Sequence, residues 1–345
     1  MDASIALILI QDGIVNGAIY ALLALALVLV FTVTRVIFIP QGEFVTYGAL
    51  TLAQLVSQKM PGTAWLLLGA GFVAFVMEAF AALRSRRLGP LARSALSCLA
   101  LPVVAFLLAR WCAAHAPPLW VLSALTVLLV VPLGSILYRI AYEPLAEASI
   151  LVLLIVSVGV HFAMTGLGLL FFGAEGSRTP AFIEGQFQLG SMTVSGQSLV
   201  VVFGSALLIG GLYLIFDRTL YGKALRATAV NRRGARLMGI STVMSGRITF
   251  MLAALIGSLS GMLIAPITTI YYDSGFLIGL KGFVAAIIGG LASYPIAAGG
   301  ALLVGLLESF SSFWASAFKE VVVFTLIIPV LLWRSMYSHQ IEEEE

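Results

Sequence analysis

217-DRTLYGKALRATAVNRRGARLMGISTVMSGR-247 carries seven basic residues (Arg218, Lys223, Arg226, Arg232, Arg233, Arg236 and Arg247), and the next acid after Asp217 is Asp273. Long apolar runs flank the stretch on both sides. A basic loop of this length between two membrane helices keeps its Lys and Arg on the cytoplasmic side, so it sets the orientation of every other span. It is also the place where a soluble partner can grip the chain.

Composition points the same way. Hydrophobic residues make up 61% of the 345, charged residues only 10%, and mean hydropathy is +1.07. An ordinary globular domain is about 45–50% apolar and about 25% charged, so the solvent of this chain is the bilayer. The net charge of +3 does not signal nucleic-acid binding, because the cations gather in loops that membrane topology already explains. Cys98 and Cys112 share one apolar segment, which indicates packing rather than a disulfide framework or a metal site. Met1 and Asp2 precede an apolar run without the basic region of a cleavable signal peptide, so this segment is expected to stay on the mature chain.

Windows of about 20 apolar residues predict spans at 11–34, 42–57, 63–83, 94–114, 118–138, 149–172, 197–216, 245–265 and 320–334. The segment 277–308 is apolar but broken by Gly289, Gly290, Ser293, Pro295, Gly299 and Gly300. It reads as two half-length helices or a close hairpin, because such breaks are tolerated at membrane depth only where protein or a watery cavity satisfies the freed backbone. The expected fold is thus an all-α polytopic bundle of about 9–11 membrane segments. With 217–247 inside, alternation puts 84–93 inside too, and that loop holds Arg84, Arg86, Arg87 and Arg93. The same count places 173–196 and the N-terminus outside, and Arg334 with Glu342–Glu345 inside. Gly17, Ala18, Ala21 and Ala24 in the first span, and Gly257 and Gly261 in the eighth, let helices approach closely in lipid. No internal repeat stands out.

No GxxxxGK[ST] phosphate loop and no HExxH occur, and His115, His161 and His339 are far apart, so neither nucleotide hydrolysis nor zinc-protease chemistry is encoded in a recognisable motif. Ionisable residues at membrane depth are expensive and therefore mark function by default; here they are Glu43, Glu78, His161, Lys281 and Glu308. Lys281 is expected to pair with one of the glutamates. Glu78 is placed at a cytoplasmic end beside Arg84, and His161, with Ser157 and Thr165 at helical spacing, is expected to hydrogen-bond between helices.

The opening 11-QDGIVNGAIYALLALALVLVFTVTRVIFIPQGEFVTYGALTLAQL-55 resembles the first helices of the branched-chain amino-acid permeases of bacterial ABC importers, the LivH type. The segments 219-TLYGKALRATAVNRRGARLMGI-240, 275-GFLIGLKGFVAAIIGGL-291 and 305-GLLES-309 are similar to that family's coupling segment, glycine-rich hairpin and following turn. Two departures stand out. Pro40-Gln41-Gly42-Glu43 replaces the family's Ala-His-Gly-Glu, and 58–138 is longer than expected, reading as an insertion of spans within a single permease domain over 1–345.

The resemblance implies a pore-forming subunit rather than an enzyme, binding no cofactor itself because ATP sits on partner subunits. It implies two ATP-binding cassette subunits, a second, LivM-type permease and a periplasmic solute-binding protein as partners, in a bacterial inner membrane. The solute is expected to be a branched-chain or related amino acid, an amide or a small organic acid. A short amphipathic helix over 223–238 is expected to dock the ATPase. Lys223, Arg226, Arg233 and Arg236 supply its charge, Leu225, Ala229, Leu237 and Met238 its apolar contact, and Ala235, Gly239 and Ile240 match the family's pattern. Asn16, Tyr20, Gln41, Glu43, Lys281 and Glu308 are the expected translocation-path residues. The loops 173–196 and 266–276, with Tyr271, Tyr272 and Asp273, are the expected contact for the binding protein. An ion-coupled secondary transporter using Glu43, Lys281 or Glu308 is the alternative class.

Overall fold

Helix α1 (Ala3–Thr34) and helix α12 (Tyr294–Trp314) form the most extensive pairing in the fold. A computed structural model describes residues 3–85, 96–189 and 192–342. Between those two helices lie α2 (Gln41–Val56), α3 (Gly62–Ser85), α4 (Leu101–His115, entered through a π-helical turn at Leu96–Ala100), α5 (Leu119–Leu137) and α6 (Ile150–Phe172). A two-stranded antiparallel hairpin, β1 (Gln186–Leu189) and β2 (Met192–Ser195), leads into α7 (Gly196–Arg218). Then come α8 (Leu220–Val230), α9 (Arg232–Leu237), α10 (Thr242–Ile264) and α11 (Ser274–Ile288), with α13 (Lys319–Thr325) and α14 (Ile327–Glu342) after α12. Among the described residues, eight helices are long and apolar enough to cross a membrane.

Contacts define two ends. At one, Leu29 and Val33 of α1 pack with Phe216, Leu225, Ile248 and Tyr294; this end carries the basic segment. At the other, Ser309 Oγ donates to Leu9 O at 2.7 Å, Gln197 Nε2 donates to Leu263 O at 2.8 Å, and Ser177 bridges Ile270; this end carries the hairpin. Glu78, near the C-terminus of α3, lies 3.4 Å from Arg247 near the start of α10, so the loop after α3 sits at the basic end, as the parity count requires. Arg86, Arg87 and Arg93 fall outside the described residues, as do Glu343–Glu345.

Small residues set the closest approaches. A Cβ on Gly17 would come within 2.9 Å of Leu302 Cα, and one on Gly305 would strike Gly13 O and the Gly17 backbone. Gly257 faces Phe44 and Gly261 faces the Val45 carbonyl, so the small-residue pair of the eighth span seats α2. The periphery is apolar: Trp65, Phe80, Trp111, Leu170 and Leu207 are exposed on α3, α4, α6 and α7.

Three expectations are corrected. Of the two readings of the broken segment, the close hairpin holds, with α11 and α12 packed on each other across the turn. The pair of half-helices does not: α11 is short, but α12 is a full 21-residue span, because the glycines and Pro295 cluster at the turn and in its first helical turns, where Pro is tolerated. The span at 320–334 is interrupted at Leu326; Pro329 has no N–H to give to Thr325 O and its ring crowds that carbonyl. The helix over 223–238 is two helices, because Asn231 leaves the helical region and its Oδ1 accepts from Gly234 N at 2.9 Å, capping α9.

Gly305→Ala is expected to destabilise the folded chain by about 1–3 kcal/mol, since backbone rather than a flexible side chain stands in the way. Denaturation of the detergent-solubilised protein measures it; an unchanged transition would contradict the α1–α12 packing.

Candidate functional site

Thirty-two residues of α1 reach the basic end, and there the chain turns back into the bundle without helix. Arg35 adopts φ 59°, and 36–40 climbs without helix and ends in a turn at 39–40, with Val36 and Phe38 buried. Phe38 packs against Phe250 at 4.7 Å between ring centroids and against Phe44 and Tyr142 at 5.9 Å. Irregular backbone survives at membrane depth only when enclosed by protein, and this aromatic box encloses it. Six residues extend at most about 20 Å, enough to reach the middle of a hydrocarbon core about 30 Å thick.

Helix α2 begins at that depth. Gln41 Nε2 donates to Ala253 O at 3.0 Å, and Glu43 Oε1 lies 3.0 Å from His161 Nδ1. Ala253 is the central residue of α10 (Thr242–Ile264), and His161 is the central residue of α6 (Ile150–Phe172). The first turn of α2 therefore sits near the midplane. Phe276, in the first turn of α11, stacks on the His161 ring at 4.5 Å, which brings a second helix start to the same depth. The two meet at glycine: a Cβ on Gly42 would strike Gly275 O, one on Gly275 would strike Gly42 O, and Gly279 lies against Gly42.

Gln41 is fully buried and Glu43 is 1% exposed. Gln41 Oε1, both Glu43 oxygens and Thr46 Oγ1 lack an aligned hydrogen bond among the described residues; the Glu43–His161 approach is an ion-pair contact whose angles fall short of one. Thr46 Oγ1 faces Gly275. Asp273, at the cap position of α11, is exposed.

Two turns along α11 the second charged cluster appears. Lys281 Nζ donates to Glu308 Oε1 at 2.5 Å, and Tyr20 Oη donates to Glu308 Oε2 at 2.5 Å. Lys281 also lies 5.8 Å from the centre of the Tyr20 ring. All three side chains are buried, at 6%, 8% and 4% exposure for Lys281, Glu308 and Tyr20. Each comes from a different helix, so the carboxylate ties α1, α11 and α12 together. The expected partner of Lys281 is thus Glu308, and Glu43 is taken by His161. Asn16 is half-buried one turn before Tyr20 on α1.

Glu78 is at the predicted end but does not depend on Arg84. It lies 3.4 Å from both Arg139 and Arg247, and Arg247 in turn grips Glu143 through two bonds of 2.9 Å. The same 143–147 turn holds the basic segment: Arg236 Nη1 donates to Glu147 Oε1 at 3.0 Å and Arg232 Nη1 to Ala146 O at 3.4 Å. Arg247, counted in sequence among loop cations, is a partly buried ion-pair partner in α10. Sequence reasoning missed this network because Glu143 and Glu147 sit in a short connection with no motif.

The basic segment divides by burial. Leu225 packs against Leu29 and Val33, with Ala229 beside it, and Ala235 is buried, so these residues seat the segment on its own bundle and do not form the free apolar surface expected of Leu225 and Ala229. Leu237 and Met238 are 88% and 82% exposed. Gly239 takes φ 82° to turn the chain, and Ile240 N closes that turn on Ala235 O at 2.9 Å. Between α8 and α9 lies an open surface groove of about 510 Å³ lined by residues that include Lys223, Arg226, Val230 and Met238.

A multi-pass helical bundle with helix ends and buried charge clusters near its midplane defines an integral membrane transport protein. The chain matches the family described as the permease component of branched-chain amino acid transport systems over residues 9–331, and it belongs to that family. It is 26% identical over 333 residues to the high-affinity branched-chain amino acid transport system permease protein LivH of Escherichia coli, covering 93% of this chain and 91% of that one. It is 30% identical over 226 residues to the permease protein BraD of Pseudomonas aeruginosa, covering 63% of this chain and 74% of the relative. No solved structure matches it. The protein is a transport permease component and not an enzyme.

Removing one partner of a buried pair leaves a bare charge, at about 3–5 kcal/mol. Lys281→Met and Glu308→Gln singly are therefore each expected to destabilise the protein strongly, and the double variant to recover more than half of the summed loss. Thermal unfolding in detergent tests this; strictly additive losses would contradict the pairing.

Proposed function

We propose that this chain is a translocation subunit of an ABC importer for branched-chain or related amino acids, working with separate ATPase subunits. The observation that carries the coupling is the basic segment, which presents Leu237 and Met238 beside Arg233 and Arg236 at the end of the bundle where the Lys and Arg residues gather. Apolar side chains that exposed, ringed by cations and held on a short capped helix, fit a groove on a soluble partner. The basic end is the cytoplasmic one by the positive-inside rule, so the N-terminus faces the periplasm and the protein lies in the inner membrane. ATP is bound by the partners. Asn16, Tyr20, Gln41, Glu43, Lys281 and Glu308 line or gate the solute's path.

The hairpin end, with Tyr271 exposed beside the 173–196 loop, is the contact for a periplasmic binding protein, and a second permease of the LivM type completes the membrane part. The long 58–138 region, which includes the proposed insertion of one or two spans, holds α3, α4 and α5; they pack against α2 and α10 and face lipid with Trp65, Phe72, Trp111 and Trp120. The ion-coupled alternative draws no support from the family match, which names a component of a multi-part system.

Leu237→Asp with Met238→Asp should leave the protein in the membrane and uncouple it. In proteoliposomes holding the full transporter, uptake is expected to fall at least about tenfold, the equivalent of about 1.4 kcal/mol, while basal ATP hydrolysis persists. Unimpaired ATP-driven uptake by that variant would refute the docking role.

A further inference from the structure

The Gly42–Gly275 crossing is reciprocal. Gly42 meets Gly275 O and the residue four further along its partner, Gly279; Gly275 meets Gly42 O and the residue four further along its partner, Thr46. Both glycines are the second residue of their helix, after Gln41 in α2 and Ser274 in α11. The helices before them run in opposite senses: α1 ends at the basic end and α10 at the hairpin end. Each is followed by a non-helical return to the interior and a short helix running back out, of 16 residues for α2 and 15 for α11. The α1–α2 and α10–α11 units are therefore inverted-topology repeats about an axis in the membrane plane, with the axis through the glycine contact.

Such an axis brings two helix N-termini together. Each carries roughly half a positive charge, and neither has a side-chain cap in place. The N–H groups of Gln41, Glu43, Ser274 and Phe276 close turns on Phe38 O, Pro40 O, Tyr271 O and Asp273 O, so of the first three in each helix those of Gly42 and Gly275 stay without a backbone partner among the described residues. Together they supply about one positive charge at the midplane, opposite the carboxylate of Glu43. Around them Gln41 Oε1 and Thr46 Oγ1 are buried without aligned hydrogen bonds, and the buried Glu43 carboxylate has the His161 ring 3.0 Å from one oxygen while the other is left without an aligned bond. Leaving such groups unmatched is costly in an interior, so a bound species that donates to acceptors and accepts from N–H groups would satisfy both sets at once. A zwitterion does this without bringing net charge into the bilayer.

We propose that the solute binds at this crossing, its carboxylate on the Gly42 and Gly275 N–H groups and its ammonium on Glu43 beside His161, and that the Gly42–Gly275 contact is the closed state of the gate. The solute must part the two glycines to enter, so any side chain there would obstruct closure. The proposal rests on the permease reading and names the solute's chemical class, an α-amino acid, and its anchoring groups within that path.

The test uses the complete transporter with and without its binding protein. Without it, millimolar leucine is expected to raise the melting temperature of the membrane complex, while 4-methylpentanoate, which lacks the ammonium, and 3-methylbutylamine, which lacks the carboxylate, are not. Glu43→Gln should lose the leucine shift and reduce leucine uptake at least about tenfold, as expected for a charge-assisted bond. Binding-protein-stimulated ATP hydrolysis should continue. Thr46→Val removes a hydroxyl without a partner and so tests the site where Glu43→Gln does not assemble; it should raise the KM for leucine uptake about threefold or more with kcat for ATP hydrolysis unchanged. Wild-type leucine uptake by these variants, or equal stabilisation by leucine and 4-methylpentanoate, would overturn the site while leaving the permease reading intact. A wild-type transporter that moves no branched-chain amino acid would overturn the permease reading itself, and this site with it.

Discussion

A helix that starts in the middle of a bilayer leaves up to four backbone N–H groups without an intrahelical partner, and no lipid can satisfy them. This chain has two such starts, at Gln41 and Ser274, pressed together through Gly42 and Gly275. Most of the bundle follows from the need to enclose them. The aromatic box of Phe38, Phe44, Tyr142 and Phe250 shields the return after α1, and α10 presents Gly257 and Gly261 so that its backbone can lie against α2. Any residue larger than glycine at the crossing would separate the two helix starts and expose the unpaired groups.

The charges are arranged to make this enclosure tolerable. Desolvating an ion costs several kcal/mol, repaid only by close, fully bonded partners; Glu308 has both oxygens engaged, by Lys281 and Tyr20. The network of Glu78, Arg139, Glu143 and Arg247 is partly buried, its side chains 15–26% exposed. Its value is geometric. It ties α3 and the turn before α6 to the start of α10, and Arg236 extends the tie to the coupling segment.

Hydropathy made most spans legible to within a few residues, because a 20-residue apolar run has few alternatives. It could not reveal the midplane start of α2. Val36, Ile37, Phe38 and Ile39 are as apolar as a helix would be, and a window average does not distinguish a non-helical return from a continuing span. The inverted repeat was hidden for a related reason: over 40–46 and 273–279 only the glycine at the second helical position coincides, since steric closeness constrains that residue and lipid contact merely asks the rest to be apolar. The buried ionisable residues were legible because burying such groups is costly, although which glutamate met Lys281 depended on helix order in space. The break at Asn231 could be read from its preference for the cap position; the inward face of Leu225 could not, since its partners Leu29 and Val33 lie nearly 200 residues away.

The packing also explains how a push at the basic end can reach the centre without a chain of special residues. Helix α10 begins beside the coupling segment, where Thr228 and Ser245 hydroxyls lie 3.2 Å apart and Arg247 holds Glu143. At its centre it supplies the carbonyl of Ala253 to Gln41, and beyond that Gly257, Ser258 and Gly261 lie against Phe44, Gly48 and Val45. Close-packed interiors transmit displacement rather than absorb it. A tilt of α10 driven from the coupling segment must therefore carry the first turn of α2 relative to α11, because α11 is held from the other side by Lys281 to Glu308 on α12 and by Gly282 over Leu23 of α1. One helix start moves with α10 while the other stays with α1 and α12, and the surface on which they separate is the glycine crossing.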